Sequence, residues 1–325
     1  MEHVTFIRSA AFAGALSLLV ACSQTGNSVA PAINVTAPAS FNRAHQKTLF
    51  VVGTFGRSNR ETVYAFDYET GKNLGQLAPP PEGWNGPEGA CVDSGGNVYF
   101  TNTNASTIDE FAHGGTYVAT ISDPGQYPVA CSYDATNGDL AVSNIISSSG
   151  GPGSVSLFKA GMLQNTYYPP NMFRVYFLGY QGSTGTLWVD GSNSSGTFEY
   201  DSFRAGVFTP VPIVGASIGF PGGVAWSTKT RTMNVGDQDT FSAPTVYQVT
   251  PDGKVTGSTV FDCQLPSNIC DVTEFAIKGP GIVAGGAAKR GAAALYAYPT
   301  GGSPIRIYGP KLSTGGAVAI SPEVP

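Results

Sequence analysis

Few side chains in this sequence could carry acid–base chemistry near neutral pH. Histidine occurs only at His3, His45 and His113. His3 falls in a leader that we expect to be removed, and His45 falls at the edge of the folded region. His113 follows a predicted strand with no nucleophile elbow, so it lacks the partners of a Ser-His-Asp triad. We therefore predict no catalytic residue, although this leaves open chemistry that needs no histidine.

Cysteines are the next group with reactive potential, at Cys22, Cys91, Cys131, Cys263 and Cys270. None of them has the Cys-x-x-Cys spacing of a redox or zinc site. Cys263 and Cys270 flank a short loop, and a disulfide there would stabilise the fold by roughly 2.5 kcal/mol. Cys91 and Cys131 occupy matching places in neighbouring predicted strands. They are either bonded to each other or packed as small apolar thiols.

Phosphate and nucleic-acid chemistry are disfavoured. The glycines fall in turns between predicted strands, and no phosphate loop or dinucleotide fingerprint is present. The net charge is −5 and no basic stripe exists, so we predict no nucleic-acid partner. Charged residues make up only 12% of the chain, with 42 Gly and 23 Pro. This composition is typical of turn-rich all-β structure.

A repeat with one dominant pattern runs through the chain. Six segments share a small or polar start, an apolar centre and a small or polar end. Their central residues recur every 42 to 49 residues, at Leu49, Val98, Leu140, Leu187, Met233 and Ile282. A second apolar strand follows each segment after ten to fifteen residues. A period of this length with several short strands is the signature of a β-propeller.

The two ends of the repeat array complement each other. A strand of small and apolar residues precedes five of the segments, but the segment at Leu49 has no such predecessor. The missing strand occurs at the carboxyl end, at residues 316–321. An open solenoid or a β-sandwich would not need this complementarity, whereas a closed ring does. We predict an all-β fold over residues 47–325, a six-bladed β-propeller in which the C-terminal strand closes the N-terminal blade.

The sequence PEGACVDSGGNVYFTN, residues 87–102, resembles the blades of the six-bladed NHL-repeat and gluconolactonase (senescence marker protein) superfamily. That resemblance implies a divalent metal such as Ca²⁺ in the central channel, held by a Glu, an Asn and an Asp. Glu88 and Asp271 match the two carboxylates. Gly222 stands where the family has its Asn, so one of the three ligands is missing. The sequence therefore establishes no cofactor, and the candidate is Ca²⁺ or another divalent ion in the central channel.

The amino-terminal segment resembles the signal sequence of bacterial lipoproteins. Arg8 precedes an uncharged stretch that is too short to span a bilayer, and the stretch ends in Leu-Val-Ala before Cys22. We predict a signal peptide at 1–21 and a lipidated Cys22 with a flexible tether at 22–46. Ser23 is not an inner-membrane retention Asp, which favours the outer membrane of the cell envelope. The alternative is an ordinary secretory signal with an incidental cysteine.

The loops at one end of the predicted blades form the candidate binding face. Arg57 and Arg60 share one loop, and Lys289 and Arg290 share a loop of the neighbouring blade. We expect these four to form a basic corner opposite three acidic residues, Asp190, Asp237 and Asp239, on a face whose other loops include Trp84. Aromatic rings beside mixed charges suit a sugar or peptide, but solvated charges on turns explain the same pattern.

These observations favour a membrane-anchored extracytoplasmic propeller, monomeric, that acts as a non-catalytic binding or scaffold module for a protein or glycan. The alternative is a metal-dependent lactonase-like hydrolase with an atypical channel site. Fold resemblance specifies architecture far better than activity, so the sequence leaves both functions open.

Overall fold

The computed structural model describes residues 46–55, 61–240, 243–262, 272–286, 293–309 and 312–323. These residues form six antiparallel sheets of four strands each, which we number as blades 1 to 6. The strands of blade 1, from the innermost outwards, are β24 (Leu312–Ser321), β1 (Thr48–Phe55), β2 (Glu61–Asp67) and β3 (Asn73–Gln76). Blade 2 has β4 (Pro87–Val92), β5 (Val98–Asn102), β6 (Thr107–Phe111) and β7 (Tyr117–Ser122). Blade 3 has β8 (Gln126–Tyr133), β9 (Asp139–Ser147), β10 (Ser154–Lys159) and β11 (Met162–Tyr167).

The remaining three blades repeat this order. Blade 4 has β12 (Arg174–Gln181), β13 (Thr186–Ser192), β14 (Phe198–Arg204) and β15 (Val207–Pro210). Blade 5 has β16 (Pro221–Ser227), β17 (Thr232–Asp237), β18 (Thr245–Val249) and β19 (Val255–Val260). Blade 6 has β20 (Phe275–Lys278), β21 (Gly281–Ala284), β22 (Ala293–Ala297) and β23 (Gly301–Tyr308). Two single 3₁₀ turns, Thr103–Ala105 and Gly182–Thr184, follow β5 and β12.

The innermost strands close a ring around a central channel. Each of β24, β4, β8, β12, β16 and β20 contacts the innermost strand of the next blade, and β20 contacts β24 in turn. The prediction of a six-bladed propeller closed by its C-terminal strand is confirmed. The closing strand is longer than predicted because its pairing with β1 extends back to Leu312.

Apolar side chains fill the six interfaces between neighbouring blades. In β1, Leu49 and Val51 pack toward blade 6, while Phe50 and Val52 pack toward blade 2. Both faces of a blade are therefore buried, which is why the second strands read as nearly continuous apolar runs rather than as alternating ones. Equivalent clusters lie at the other four interfaces.

A buried hydrogen-bond chain fixes the end of the closing strand to blade 2. The Ser321 hydroxyl donates to the Gly96 carbonyl oxygen at 2.6 Å. His113 Nδ1 lies 2.5 Å from the same hydroxyl. Because Ser321 uses its one proton for Gly96, we assign His113 Nδ1 as the donor of the second bond. His113, the candidate histidine of the sequence, thus has a structural role in ring closure.

No helix in the described part of the chain is long and apolar enough to cross a membrane.

Candidate functional site

One end of the propeller carries the connections between second and third strands and the connections between blades. We call this end the channel-mouth face. Antiparallel pairing places both kinds of loop there. The innermost strands start at this face. Near its start, each of four innermost strands has a β-bulge in its pairing with the second strand of the same blade. The bulges lie between Pro87 and Ala90, Pro128 and Ala130, Val175 and Leu178, and Pro221 and Val224. The extra residues of these bulges interrupt the pairing at the mouth of the channel.

The bulge of blade 2 contains Glu88 and Gly89, and Glu88 supplies its ionisable side chain. Glu88 is exposed, although both of its neighbours in β4 are buried. A Cβ on the next residue, Gly89, would lie 2.3 Å from the Val129 carbonyl oxygen. Only glycine therefore allows the innermost strands of blades 2 and 3 to approach this closely. The close approach holds the backbone of Glu88 at the rim of the channel.

The carboxyl group of Glu88 contacts solvent but is hard to ionise. Surrounding protein removes much of its water, and this raises the pKa of Glu88 to about 7. The nearby Glu61 carboxylate, at the start of β2, raises the pKa further. Burial also raises the pKa of Glu61. At neutral pH, Glu88 therefore exchanges between its charged and neutral forms, which suits a group that binds or moves a proton.

Glu274 is a second carboxyl group at the channel. It directly precedes β20 and is only 8% exposed. Its Oε2 accepts a hydrogen bond of 3.3 Å from the Ala90 backbone N–H. Blade 1 lies between blades 6 and 2 in the ring, so the Glu274 side chain reaches past the innermost strand of blade 1 to Ala90. Gly316 and Ala317 of that strand are small residues. Burial raises the pKa of Glu274 well above its ordinary value, which favours the neutral acid.

Asp190 corrects one expectation from the sequence. We expected it on the surface opposite the basic corner, but it is fully buried between blades 4 and 5. Its Oδ1 accepts a hydrogen bond of 2.8 Å from the Phe177 N–H. Burial raises the pKa of Asp190 well above its usual range. Thr101 fills the same place in blade 2, where its hydroxyl accepts from the Gly89 N–H.

The metal site implied by the family resemblance does not fit the residues present. A Cβ at Gly222 would lie 2.8 Å from both the Val272 carbonyl oxygen and the Gly236 carbonyl carbon. No side chain can therefore replace the missing Asn without moving backbone. Asp271 lies outside the described residues. Within the part of the chain that is described, no three His, Cys, Asp or Glu side chains converge to hold a metal ion.

Trp84, Asp237 and Asp239, three of the candidate binding residues, lie at the channel-mouth end of the blades. Trp84 is half-buried, with its ring 5.9 Å from that of Phe100 and 5.6 Å from that of Phe111. Asp237 is 2% exposed, and its Oδ1 accepts hydrogen bonds from three backbone N–H groups, those of Gly219, Phe220 and Asp239. Asp239 is exposed. Asp237 therefore orders the loop before β16, which leaves Asp239 to meet solvent.

Several predicted residues lie outside the described residues: Cys22, Arg57, Arg60, Cys263, Cys270, Lys289 and Arg290. The lipidation site, the basic corner and one disulfide stay predictions. The other cysteine pair is bonded. The Cys91 and Cys131 sulfurs are 2.07 Å apart, with a Cα–Cα distance of 5.5 Å. This disulfide joins the innermost strands of blades 2 and 3, next to the bulge that carries Glu88.

The two ion pairs of the described residues lie at the opposite end of the blades. Lys47 pairs with Glu69 at 2.8 Å, and Lys159 pairs with Asp139 at 3.5 Å. Within the described part of the chain, no such pair neutralises Glu61, Glu88 or Glu274. The channel mouth therefore concentrates carboxyl groups without a basic partner among the residues that can be placed.

Sequence reasoning missed Glu61, Glu274 and the burial of Asp190. The signal for Glu274 was present, because aligning the repeats places it where blade 2 has Gly89. Nothing local marks Glu61, since its influence on Glu88 arises only when β2 and β4 meet at the mouth of the ring.

The comparisons with known proteins show the fold. No family model matches the chain, and no curated protein matches it. A chain in the crystal structure of a nidogen/laminin complex is similar to this one, with a TM-score of 0.64 and 11% sequence identity. The match covers 85% of this chain and 99% of that one. Matching chains in solved structures number 1154, so the architecture is widespread and does not specify an activity.

Proposed function

We propose that this chain is a lipid-anchored propeller of the bacterial cell envelope that acts as a non-catalytic binding module for a protein or glycan. The ligand surface in this proposal is the channel-mouth face. The lipid anchor rests on Cys22 and the leader before it. The Cys91–Cys131 disulfide is compatible with export, because disulfides persist mainly outside the cytoplasm.

One observation carries the proposal: among the described residues, the channel-mouth face combines carboxyl groups that form no ion pair with exposed aromatic rings. Glu88 contacts solvent at the centre of this face. Tyr168, which is 52% exposed, and Phe173, which is 38% exposed, lie in the loop between blades 3 and 4. Aromatic faces and carboxylates together bind sugars and peptides, since one supplies apolar contact and the other accepts hydrogen bonds.

The test is binding of the mature domain to arrays of bacterial envelope glycans and of synthetic peptides. We expect at least one class of probe to bind, and Glu88→Gln to weaken that binding by about tenfold or more, since a hydrogen bond to a charged group contributes about 1.5–3 kcal/mol. Glu69→Gln, at the opposite end of the blades, should leave binding unchanged.

The competing function is lactone hydrolysis, and the same protein preparation distinguishes it. EDTA-sensitive hydrolysis of a sugar lactone that is lost in Glu88→Gln would overturn the non-catalytic proposal. Absence of binding to both classes of probe would also contradict it. The crowded backbone at Gly222 favours the binding module over the hydrolase.

A further inference from the structure

Three blades carry the same kind of polar cluster around the middle of the third strand. The cluster in blade 2 is complete. Asn102 Nδ2 donates to Asp109 Oδ2 at 3.0 Å. The Thr120 hydroxyl donates to Asp109 Oδ1 at 2.5 Å. Both oxygens of this carboxylate therefore have a donor, and the cluster needs nothing from outside the chain. In blade 3, Asp123 and Ser156 occupy the corresponding place, joined by a hydrogen bond of 2.9 Å.

In blade 4, Asp201 occupies the position that Asp109 has in blade 2, but its hydrogen-bond donors differ. Asp109 pairs with Phe100, and Asp201 pairs with Val189 at the same point of the repeat. The outer-strand residue that faces Asp201 is Pro210, where Asp109 faces Thr120. Proline offers neither a hydroxyl nor a backbone N–H. The hydroxyl donor of blade 2 is thus absent from the facing position in blade 4.

The amide of blade 2 is also replaced. Gly191 stands where blade 2 has Asn102, and Asn171 reaches in from the loop before β12 instead. Asn171 Nδ2 donates to Asp201 Oδ1 at 3.1 Å and to Glu199 Oε2 at 3.2 Å. One amide group therefore holds two carboxylates together. Asn193 Nδ2 donates to the other oxygen of Glu199 at 2.9 Å.

Two acceptor oxygens in this cluster remain without a donor. Asp201 is fully buried, and both its Oδ2 and the Oδ1 of Asn171 are buried with no hydrogen-bond partner. The two ion pairs of the described residues lie elsewhere. Asp201 is buried, whereas Glu199 and Asn171 are partly exposed. Two neighbouring carboxylates with two buried acceptor oxygens that lack a donor give this cluster an excess of negative charge, which is costly to leave uncompensated.

We propose that Asn171, Glu199 and Asp201 form a calcium site in blade 4. The donors are all oxygens, which suits a hard cation, and Ca²⁺ tolerates an irregular set of carboxylate, amide and water ligands better than Mg²⁺ does. The ion would supply the compensation that Thr120 supplies in blade 2. This site is separate from the channel and does not depend on the proposed function.

Calorimetric titration of the EDTA-treated folded protein with CaCl₂ tests the proposal. We expect one site with a Kd of about 0.1–1 mM, the range of extracellular calcium modules. Glu199→Gln should weaken binding by about tenfold or more, because it removes a charge that faces the ion. Asp109→Asn is the matched control, since its cluster is already complete, and it should bind Ca²⁺ as the wild type does. Calcium should raise the Tm of the wild type but not of Glu199→Gln.

Three results would overturn the proposal. The first is no binding up to about 5 mM Ca²⁺, well above the expected range. The second is equal binding by wild type and Glu199→Gln. The third is binding that is lost in Glu88→Gln and kept in Glu199→Gln, which would place the ion at the channel mouth. Glu199 is partly exposed, so its glutamine variant tests the site even if Asp201→Asn fails to fold.

Discussion

The side chain of Glu88 is accessible to solvent, but its surroundings destabilise the charged carboxylate. The protein around the carboxyl group cannot reorganise as water does, so it stabilises the charged form less well. Glu61 adds a like charge nearby. The result is a proton-binding group poised near neutral pH, on the face where we place the ligand.

Replacing Glu88 by Gln removes a proton-binding group whose pKa is raised on folding. In the unfolded chain a Glu ionises near its ordinary pKa, whereas in the folded chain the pKa of Glu88 is about 7. The folded state therefore holds the proton more tightly, and this contribution to stability is lost as the pH rises through about 7.

We expect the free energy of unfolding of the wild type to fall relative to Glu88→Gln between about pH 5 and pH 8. The difference should be at most about 1 kcal/mol, because water screens an exposed carboxylate. Denaturant unfolding across this pH range measures it. Parallel curves for the two proteins would show that Glu88 has an ordinary pKa.

For single residues, the sequence could predict which side chains are candidates for the site and roughly where in a blade they lie. It could not predict their burial or their contacts. Glu88 was identified from the resemblance of residues 87–102 to a known family, and Trp84 because it is an aromatic residue in a loop of the predicted binding face. The burial of Asp190 was not predictable, because it depends on how blade 5 packs against blade 4. The Asn171–Asp201 cluster was likewise hidden, since its members are thirty residues apart and meet only through the loop before β12.

At the scale of the strand, glycines set how closely the innermost strands approach. Gly222 lies in the bulge that opens β16, and it has no room for a Cβ. The sequence showed that an expected ligand was missing there. The structure adds the reason, because the backbones of blades 5 and 6 come too close together for any side chain at that position.

Gly222→Asn should therefore lower the free energy of unfolding, by about 1–3 kcal/mol as for other overpacked sites, rather than restore a metal ligand. Gly196→Asn is a suitable control, because Gly196 has open space around it and a left-handed φ of 83° that Asn tolerates. Denaturant unfolding of both variants tests this. A Gly222→Asn variant as stable as the wild type, with new Ca²⁺ binding, would show that the channel can accept the missing ligand.

The Cys91–Cys131 disulfide joins two blades and closes a segment with a sequence separation of 40. Replacing both cysteines by Ala should lower the free energy of unfolding by about 2–4 kcal/mol, mainly because the unfolded chain gains freedom. The wild type under reducing conditions should show the same loss. An unchanged Tm after complete reduction, verified by thiol titration, would contradict a stabilising role.

At the scale of the whole molecule, six repeats and two complementary ends were enough to predict the ring. Each blade must bury two apolar faces, so the same pattern recurs along the sequence at a nearly constant spacing. Function carries no such repetition. It depends on the residues at which blades differ, such as Glu88 in blade 2 and Glu274 in blade 6. Aligning the repeats locates these residues but does not show what they do.

The central claim is that the channel-mouth face binds an envelope ligand. It is tested most directly by a photo-crosslinking amino acid placed at Tyr168 on that face. The matched control position is Met162, the first residue of β11 at the opposite end, which is 64% exposed. Crosslinking in intact envelopes, followed by mass spectrometry of the adducts, is the measurement. We predict one recurring protein or glycan adduct at Tyr168 that is absent at Met162 and reduced by Glu88→Gln. Equal adducts at both positions, or none at Tyr168, would contradict the claim.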